Sequence, residues 1–240
     1  MCYYKLKFWY PIFRFADGAV YQLPKVAKFY KNIKNNTAVI PNPVTLKGDV
    51  VVLPFAKRKK QIVALGRLDI FQKRQDVLLK AFSLFQVNHQ DYMLIIYGSG
   101  PDEERIKQLI ADLGLQQSVI LAGNTLSPQE SISKSQFFVM SSDFEGIPNA
   151  LIEAMVIGLP CISTDCRPGG AALLIENKTN GLLCPKGNAE ELAKCMTWMV
   201  EHPLESDIMG QEAKKIADRF SEEKISTMWS NFVKSFGFGK

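Results

Sequence analysis

Short, uninterrupted apolar runs alternate along this chain with longer stretches whose apolar residues recur every three or four positions. The runs are QIVAL (61–65), the start of YMLIIYGSGP (92–101), SVILAG (118–123), QFFVM (136–140) and PCIST (160–164). Runs of that length, bounded by Gly, Pro or Ser, read as strands buried on both faces, as in a parallel sheet. The stretches between them read as amphipathic helices. From Gln75 to about Asn88, Leu78, Ala81, Phe82 and Phe85 fall on one face. From Asp102 to Leu113, Ile106, Leu109, Ile110 and Leu113 do the same, and Gly114 ends the helix. A short helix over 127–135 has Pro in its first turn.

After PCIST come a Gly-rich loop (164–170) and NGLL (180–183), a turn and short strand. Asn188 caps a helix from Ala189 to about Glu201, with Leu192, Cys195, Met196 and Met199 inward. A further helix is expected from about Leu204 to Arg219, and Ser221 caps a last one to about Ser235, with Ile225, Met228, Trp229 and Phe232 apolar. At the other end, strand (19–22), helix (24–32) and strand (37–40) precede the rigid stop Pro41-Asn42-Pro43. Residues 45–60 read as a linker or edge element, with VVVL (50–53) a short strand and the basic run KRKK (57–60) solvated. Strands alternating with helices in this way predict an α/β fold: a doubly wound parallel sheet, Rossmann-like.

Composition narrows the class. An apolar content of 47% in 240 residues supports a full core, and a net charge of +5 fits an anionic ligand or an acidic membrane surface without requiring nucleic acid. Five Cys with no C-x-x-C pair read as reduced thiols, with Cys161, Cys184 and Cys195 in apolar surroundings. Cys161 and Cys166 have no His nearby, which disfavours a metal site, and His89 and His202 read as surface residues. No apolar run reaches the roughly 18 residues of a membrane span. The aromatic, basic opening MCYYKLKFWYPIFRF reads either as an interfacial segment or as an element of a larger domain. With no G-x-G-x-x-G and no G-x4-G-K-[ST], a nicotinamide cofactor and a P-loop nucleotide site are both disfavoured.

Candidate chemistry gathers in Ser141–Pro160, SSDFEGIPNALIEAMVIGLP. Here a strand runs through a turn into a helix that stops at Gly158 and Pro160. Glu145 lies at the helix mouth and Glu153 about two turns in, so both can face one cleft at the end of the sheet where open α/β folds bind ligands. Earlier, Gly66-Arg67-Leu68 follows a strand, and Lys73 and Arg74 stand at a helix start, where the helix dipole disfavours cations. A base there suggests that an anion occupies the space between. Arg74 itself reads as solvated. Gly98 and Gly100 let the backbone come close to a ligand. Arg167, beside Gly169 and Gly170, is either a ligand contact or part of a turn.

The text E-G-I-P-N-A-L-I-E-A-M-x-x-G-L-P together with G-R-x5-K at 66–73 resembles the donor-binding half of a retaining GT-B glycosyltransferase of family 4, or group 1. The resemblance runs over about residues 16–235. It implies that Arg67 and Lys73 hold a donor diphosphate, that Glu145 touches the sugar ring and that Glu153 accepts the ribose hydroxyls. Such a site needs preorganised positive potential where the leaving diphosphate gains charge. Gly66, Gly98, Gly146, Ile147, Pro148, Asn149, Ala150 and Leu151 complete the expected donor site, with the helix amides of 149–151 adding to it. The donor is a nucleotide-sugar, UDP by default; no D-x-D pair occurs, and neither a metal nor a cofactor is expected.

The resemblance further implies that residues 1–43 are a remnant of an acceptor domain and hinge, most of that domain being absent, and that 44–240 form the donor-binding domain. The C-terminal helix would pack back on the acceptor domain. The family often has Glu where this chain has Leu173, which leaves that contact unaccounted for. The acceptor would be a glycan or lipid-linked sugar in cell-surface polysaccharide synthesis, at the cytosolic face of a membrane. The same residues also fit a nucleotide-sugar-binding subunit needing a partner chain with the acceptor domain, or a non-catalytic remnant.

Overall fold

The computed structural model describes residues 15–29, 36–46, 50 and 53–237. The expectations for the aromatic N-terminus and for most of the strand at 50–53 lie outside these residues. The chain forms two compact units, residues 1–43 with 220–240 and residues 44–219.

The first unit holds β1 (Gly18–Tyr21), α1 (Pro24–Phe29) and β2 (Asn36–Val39), the two strands pairing in parallel with Val20 opposite Ala38. The expected strand–helix–strand is present, each strand set one residue earlier.

The second unit is one six-stranded sheet: β3 (Lys59–Leu65), β4 (Met93–Tyr97), β5 (Val119–Gly123), β6 (Ser135–Met140), β7 (Cys161–Thr164) and β8 (Leu182–Cys184). Every pairing is parallel and the order is β5-β4-β3-β6-β7-β8. The chain builds outward from β3 to β5, returns to lay β6 beside β3, then builds outward the other way. That is the doubly wound order, and it puts its switch point between β3 and β6. All six residues of β6 are buried, as expected for a strand covered on both faces.

Its helices are α2 (Ile70–Lys73), α3 (Gln75–Gln86), α4 (Glu103–Asp112), α5 (Pro128–Ile132), α6 (Asn149–Val156), α7 (Gly170–Leu174), α8 (Ala189–Glu201), α9 (Pro203–Ala213) and α10 (Ile216–Arg219). The α3 face predicted from spacing is in the core: Leu78, Ala81, Phe82 and Phe85 are all buried. Burying each of the three larger side chains contributes about 1.5–3 kcal/mol. α8 begins as expected, the Asn188 side chain accepting from Glu191 N at 3.0 Å.

Four readings change. The helix expected over 204–219 breaks after Ala213, where Lys215 N turns to Glu212 O and Ala217 N to Lys214 O in i→i+3 bonds. The loop after β7 contains α7, a single turn too short to leave a periodic signal. The basic run at 57–60 is not a solvated linker. Arg58 is buried and donates to Leu53 O, Gln136 O and Asp207, while Lys59 and Lys60 open β3. The two His are packed rather than superficial: His89 stacks on Phe85 at 4.5 Å and His202 on Trp198 at 4.4 Å.

The last helix, α11 (Glu222–Lys234), belongs to the first unit and is capped by Ser221. Ile225 is buried there, whereas Met228 and Trp229 are exposed. Cys161, Cys166 and Cys184 are buried free thiols, and burial pushes the Cys161 and Cys166 thiols above their usual range. Among the described residues no helix is long and apolar enough to cross a membrane.

Candidate functional site

Two loops leave the carboxyl ends of the two central strands and meet at the switch point. The first follows β3. Gly66 N donates to Tyr97 O at 3.0 Å and Leu68 N to Ser99 O at 3.0 Å, so this loop runs beside the one after β4. Asp69 caps the four-residue α2 through Gln72 N, and Asp102 accepts from Ile70 N. The short helix exists because acids satisfy its first amides. Lys73 is its last residue. Gln75 holds the loop from below, its Nε2 donating to Arg67 O at 2.8 Å.

The second loop follows β6. The Ser141 hydroxyl donates to Lys73 O at 2.8 Å, Asp143 N to Gln72 O at 2.9 Å, and Gln72 Nε2 to Phe144 O at 3.1 Å. The loops are thereby stitched by one backbone and two side-chain-to-backbone hydrogen bonds before any charge is counted. Lys73 Nζ then meets Glu145 Oε1 at 2.6 Å, and the same oxygen accepts from the Ser142 hydroxyl at 2.8 Å. The Glu145 side chain is 9% exposed and that of Lys73 23%. A third loop braces the second from behind: Glu145 N donates to Arg167 O and Arg167 N to Asp143 O. Arg167 thus acts on the site through its backbone, while its side chain is exposed.

Gly98 explains the closeness of the first two strand ends. Its φ is 135°, and a Cβ there would lie 1.9 Å from Gly66 O. The backbone that Gly98 admits is therefore the Gly66 loop. Gly100 does the same for Leu68 O, and a Cβ on Gly170 would lie 1.6 Å from Gly146 O.

Beyond Gly146, Ile147 and Pro148 are buried and lead into α6. Pro148 offers no side-chain cap, so the first amides of α6 meet no side-chain oxygen from that position. Leu151 N is spent on Pro148 O at 3.1 Å and its side chain is in the core. Asn149 is exposed, Ala150 and Glu153 half-buried. Arg67 is exposed, and its guanidinium forms no ion pair with any described residue. The contacts therefore join Gly66, Gly98, Lys73 and Glu145 directly, while Arg67 and Gly146 lie in the same two loops.

One expectation is overturned. Arg74 is not solvated: it is doubly bonded to Asp76 (Nε–Oδ1 3.0 Å, Nη2–Oδ2 3.1 Å) and bonded to Asp143 through Nη1 at 2.8 Å. The hydrogen bond to Asp76, more than the one to Asp143, raises its guanidinium above the usual range. Ser141, Ser142, Asp143, Gln75 and Arg74 are the site residues that sequence reasoning missed. The signal for three of them was present, a Ser-Ser-Asp triplet directly after a fully buried strand. Among the described residues, no cluster of three His, Cys, Asp or Glu side chains could hold a metal ion.

Such an arrangement presents a cation, a carboxylate and a set of helix amides at one strand end. It can take a ligand with an anionic group and hydroxyls.

Comparison with known proteins agrees. The family described as glycosyl transferases group 1 matches residues 49–216. An uncharacterized glycosyltransferase of Haemophilus influenzae is 32% identical over 203 residues, 83% of this chain and 55% of that protein. Poly(ribitol-phosphate) alpha-N-acetylglucosaminyltransferase of Staphylococcus aureus is 29% identical over 164 residues, 68% of this chain and 33% of that protein. A mutant of S. aureus TarM, crystallised with fondaparinux, alpha-GlcNAc-glycerol and UDP, superposes with a TM-score of 0.84 at 24% identity, over 94% of this chain and 45% of that one. The chain spans about half the length of the first two curated relatives it matches, 55% and 45%. With the family matched over most of the second unit, the chain belongs to the group 1 glycosyl transferases.

Proposed function

We propose that this chain binds a nucleotide-sugar, most simply a UDP-sugar, and is the donor-binding half of a retaining GT-B glycosyltransferase of family 4. Residues 44–240 would be the donor domain and 1–43 the end of the acceptor domain. Its product would be a glycan or lipid-linked sugar of a cell-surface polysaccharide, made at the cytosolic face of a membrane. The observation that carries this reading is the meeting of Lys73 and Glu145, 2.6 Å apart, at the switch point between β3 and β6. Arg67 and Lys73 take the diphosphate, Arg67 by a forked grip and Lys73 as a point charge. Glu145 faces the sugar ring, Glu153 takes the ribose hydroxyls, and the first amides of α6 add positive potential. UDP in the TarM crystal and the activity named for the S. aureus relative support the choice of donor and of acceptor class. All these roles are played by protein groups, and the reading needs no metal or cofactor.

The test is calorimetric titration with UDP, GDP and ADP, repeated on Glu153→Ala. Saturable binding of one nucleotide, lost in the variant, is expected; a folded chain that binds none overturns the reading. The same donor site also fits a second arrangement, a nucleotide-sugar-binding subunit completed by a partner chain that binds the acceptor. Donor binding without transfer to any acceptor until such a partner is added would distinguish it.

A further inference from the structure

We infer that Arg74 is a positioning residue that sets Lys73 against Glu145 by clamping the loop that carries Glu145. The inference rests on the donor-site reading above and deepens it.

Arg74 adopts φ 53° and ψ 47°, left-handed backbone that a non-glycine residue occupies only under strain. It closes α2 through its own N–H, which donates to Ile70 O, and it opens α3 through its carbonyl, which accepts from Val77 N and Leu78 N. A glycine would do all of this without strain. The side chain must therefore supply what glycine could not. Its three charge-assisted hydrogen bonds, at 2.8–3.1 Å, tie one guanidinium to Asp76 on its own helix and to Asp143 on the other loop. The fork geometry matters, since a lysine ammonium cannot hold two carboxylates in fixed directions.

The consequence follows from neighbours. Arg74 adjoins Lys73, and Asp143 lies two residues before Glu145. Fixing Arg74 on Asp143 fixes the loop separation across which Lys73 reaches Glu145. It also neutralises Asp143, whose side chain is largely buried. Because both of its charge partners are acids, Arg74 is not itself a phosphate ligand. It orders the group that is.

Competitive acetylation of Lys73, read by mass spectrometry on the whole chain without nucleotide, tests this. Arg74→Gly removes the guanidinium and relieves the backbone, so thermal unfolding is expected to stay close to that of the parent. Lys73 labelling is expected to rise by roughly 2–5-fold, as for an ion pair that is loosened by up to about a surface pair's worth. Adding Asp143→Asn to Arg74→Gly is expected to leave labelling at the Arg74→Gly value, because the clamp is already cut, a non-additivity that two independent structural losses do not produce. Asp143→Ala, which cuts the clamp from its other end, is expected to raise labelling as well and serves if Arg74→Gly does not fold. Unchanged Lys73 labelling in Asp143→Ala, or in a folded Arg74→Gly, overturns the inference. UDP titration of the parent chain is independent: absent binding there counts against the donor-site reading, and unchanged labelling counts against the clamp.

Discussion

Lys73 and Glu145 stand 72 positions apart in sequence, yet their charged groups lie 2.6 Å apart where the two central strands end. Each neutralises the other. On the donor-site reading proposed above, a diphosphate entering between them would draw Lys73 away and leave Glu145 to face the sugar.

This gives a paired prediction. Lys73→Ala removes a charge-assisted hydrogen bond worth about 1.5–3 kcal/mol, so UDP affinity falls roughly 10–100-fold. Glu145→Gln frees Lys73 from its partner, so affinity for UDP holds or rises, while the preference for UDP-sugar over UDP shrinks. Calorimetry with both ligands on both variants checks it. Parallel losses of UDP affinity in the two variants would contradict the division of roles.

Gly98 couples site geometry to stability. With φ at 135° and a Cβ position 1.9 Å from Gly66 O, an alanine must move backbone, which has little freedom to yield. Gly98→Ala is expected to cost ~2–5 kcal/mol, combining left-handed strain with overpacking. Urea unfolding of the variant measures this, and a loss under about 1 kcal/mol would show that the two loops are not locked together.

The sheet was legible because parallel strands buried on both faces leave uninterrupted apolar runs, and each run recurs as a strand within two residues of its expected place. α3 and α8 were legible because one face of each is core. The invisible parts depend on contacts between distant residues. Arg58 reads as one of four basic residues until Gln136 and Asp207 close over it. Arg74 reads as solvated until Asp143 comes back from β6. Lys73 and Glu145 were found through a motif, whereas Ser142, which donates to the same Glu145 oxygen, is marked only by its place in a Ser-Ser-Asp triplet after a buried strand.

Arg58 supplies a prediction about folding. Its side chain is 1% exposed and reaches two carbonyls and Asp207, whose carboxylate also accepts from Phe55 N at 2.8 Å. Burial lowers its pKa despite the neighbouring carboxylate, a sign that desolvation outweighs attraction there. Arg58→Ala strands those acceptors and opens a void, at an expected cost of about 3–5 kcal/mol. Urea denaturation at neutral pH is the measurement. A cost below about 1 kcal/mol would mean water replaces the guanidinium without penalty.

Tyr92 contributes to the pH dependence of stability on the alkaline side. It is buried, its hydroxyl donates to Gln136 Oε1, and burial, helped by the nearby Asp91 charge, pushes its pKa up to about 12. The unfolded phenol titrates near 10. Between those values the folded chain holds a proton that the unfolded chain has released, so the slope of stability with pH is negative. The Tyr92 contribution is fully present below about pH 10 and is lost as pH rises towards 12, by at most about 2.7 kcal/mol. Tyr92→Phe leaves Gln136 Oε1 without this donor and costs about 1–3 kcal/mol at pH 8. It should also flatten the alkaline slope relative to the parent, the lysines titrating alike in both. Urea midpoints from pH 8 to 12 for the two proteins decide it: parallel curves would show that the buried phenol ionises without regard to folding.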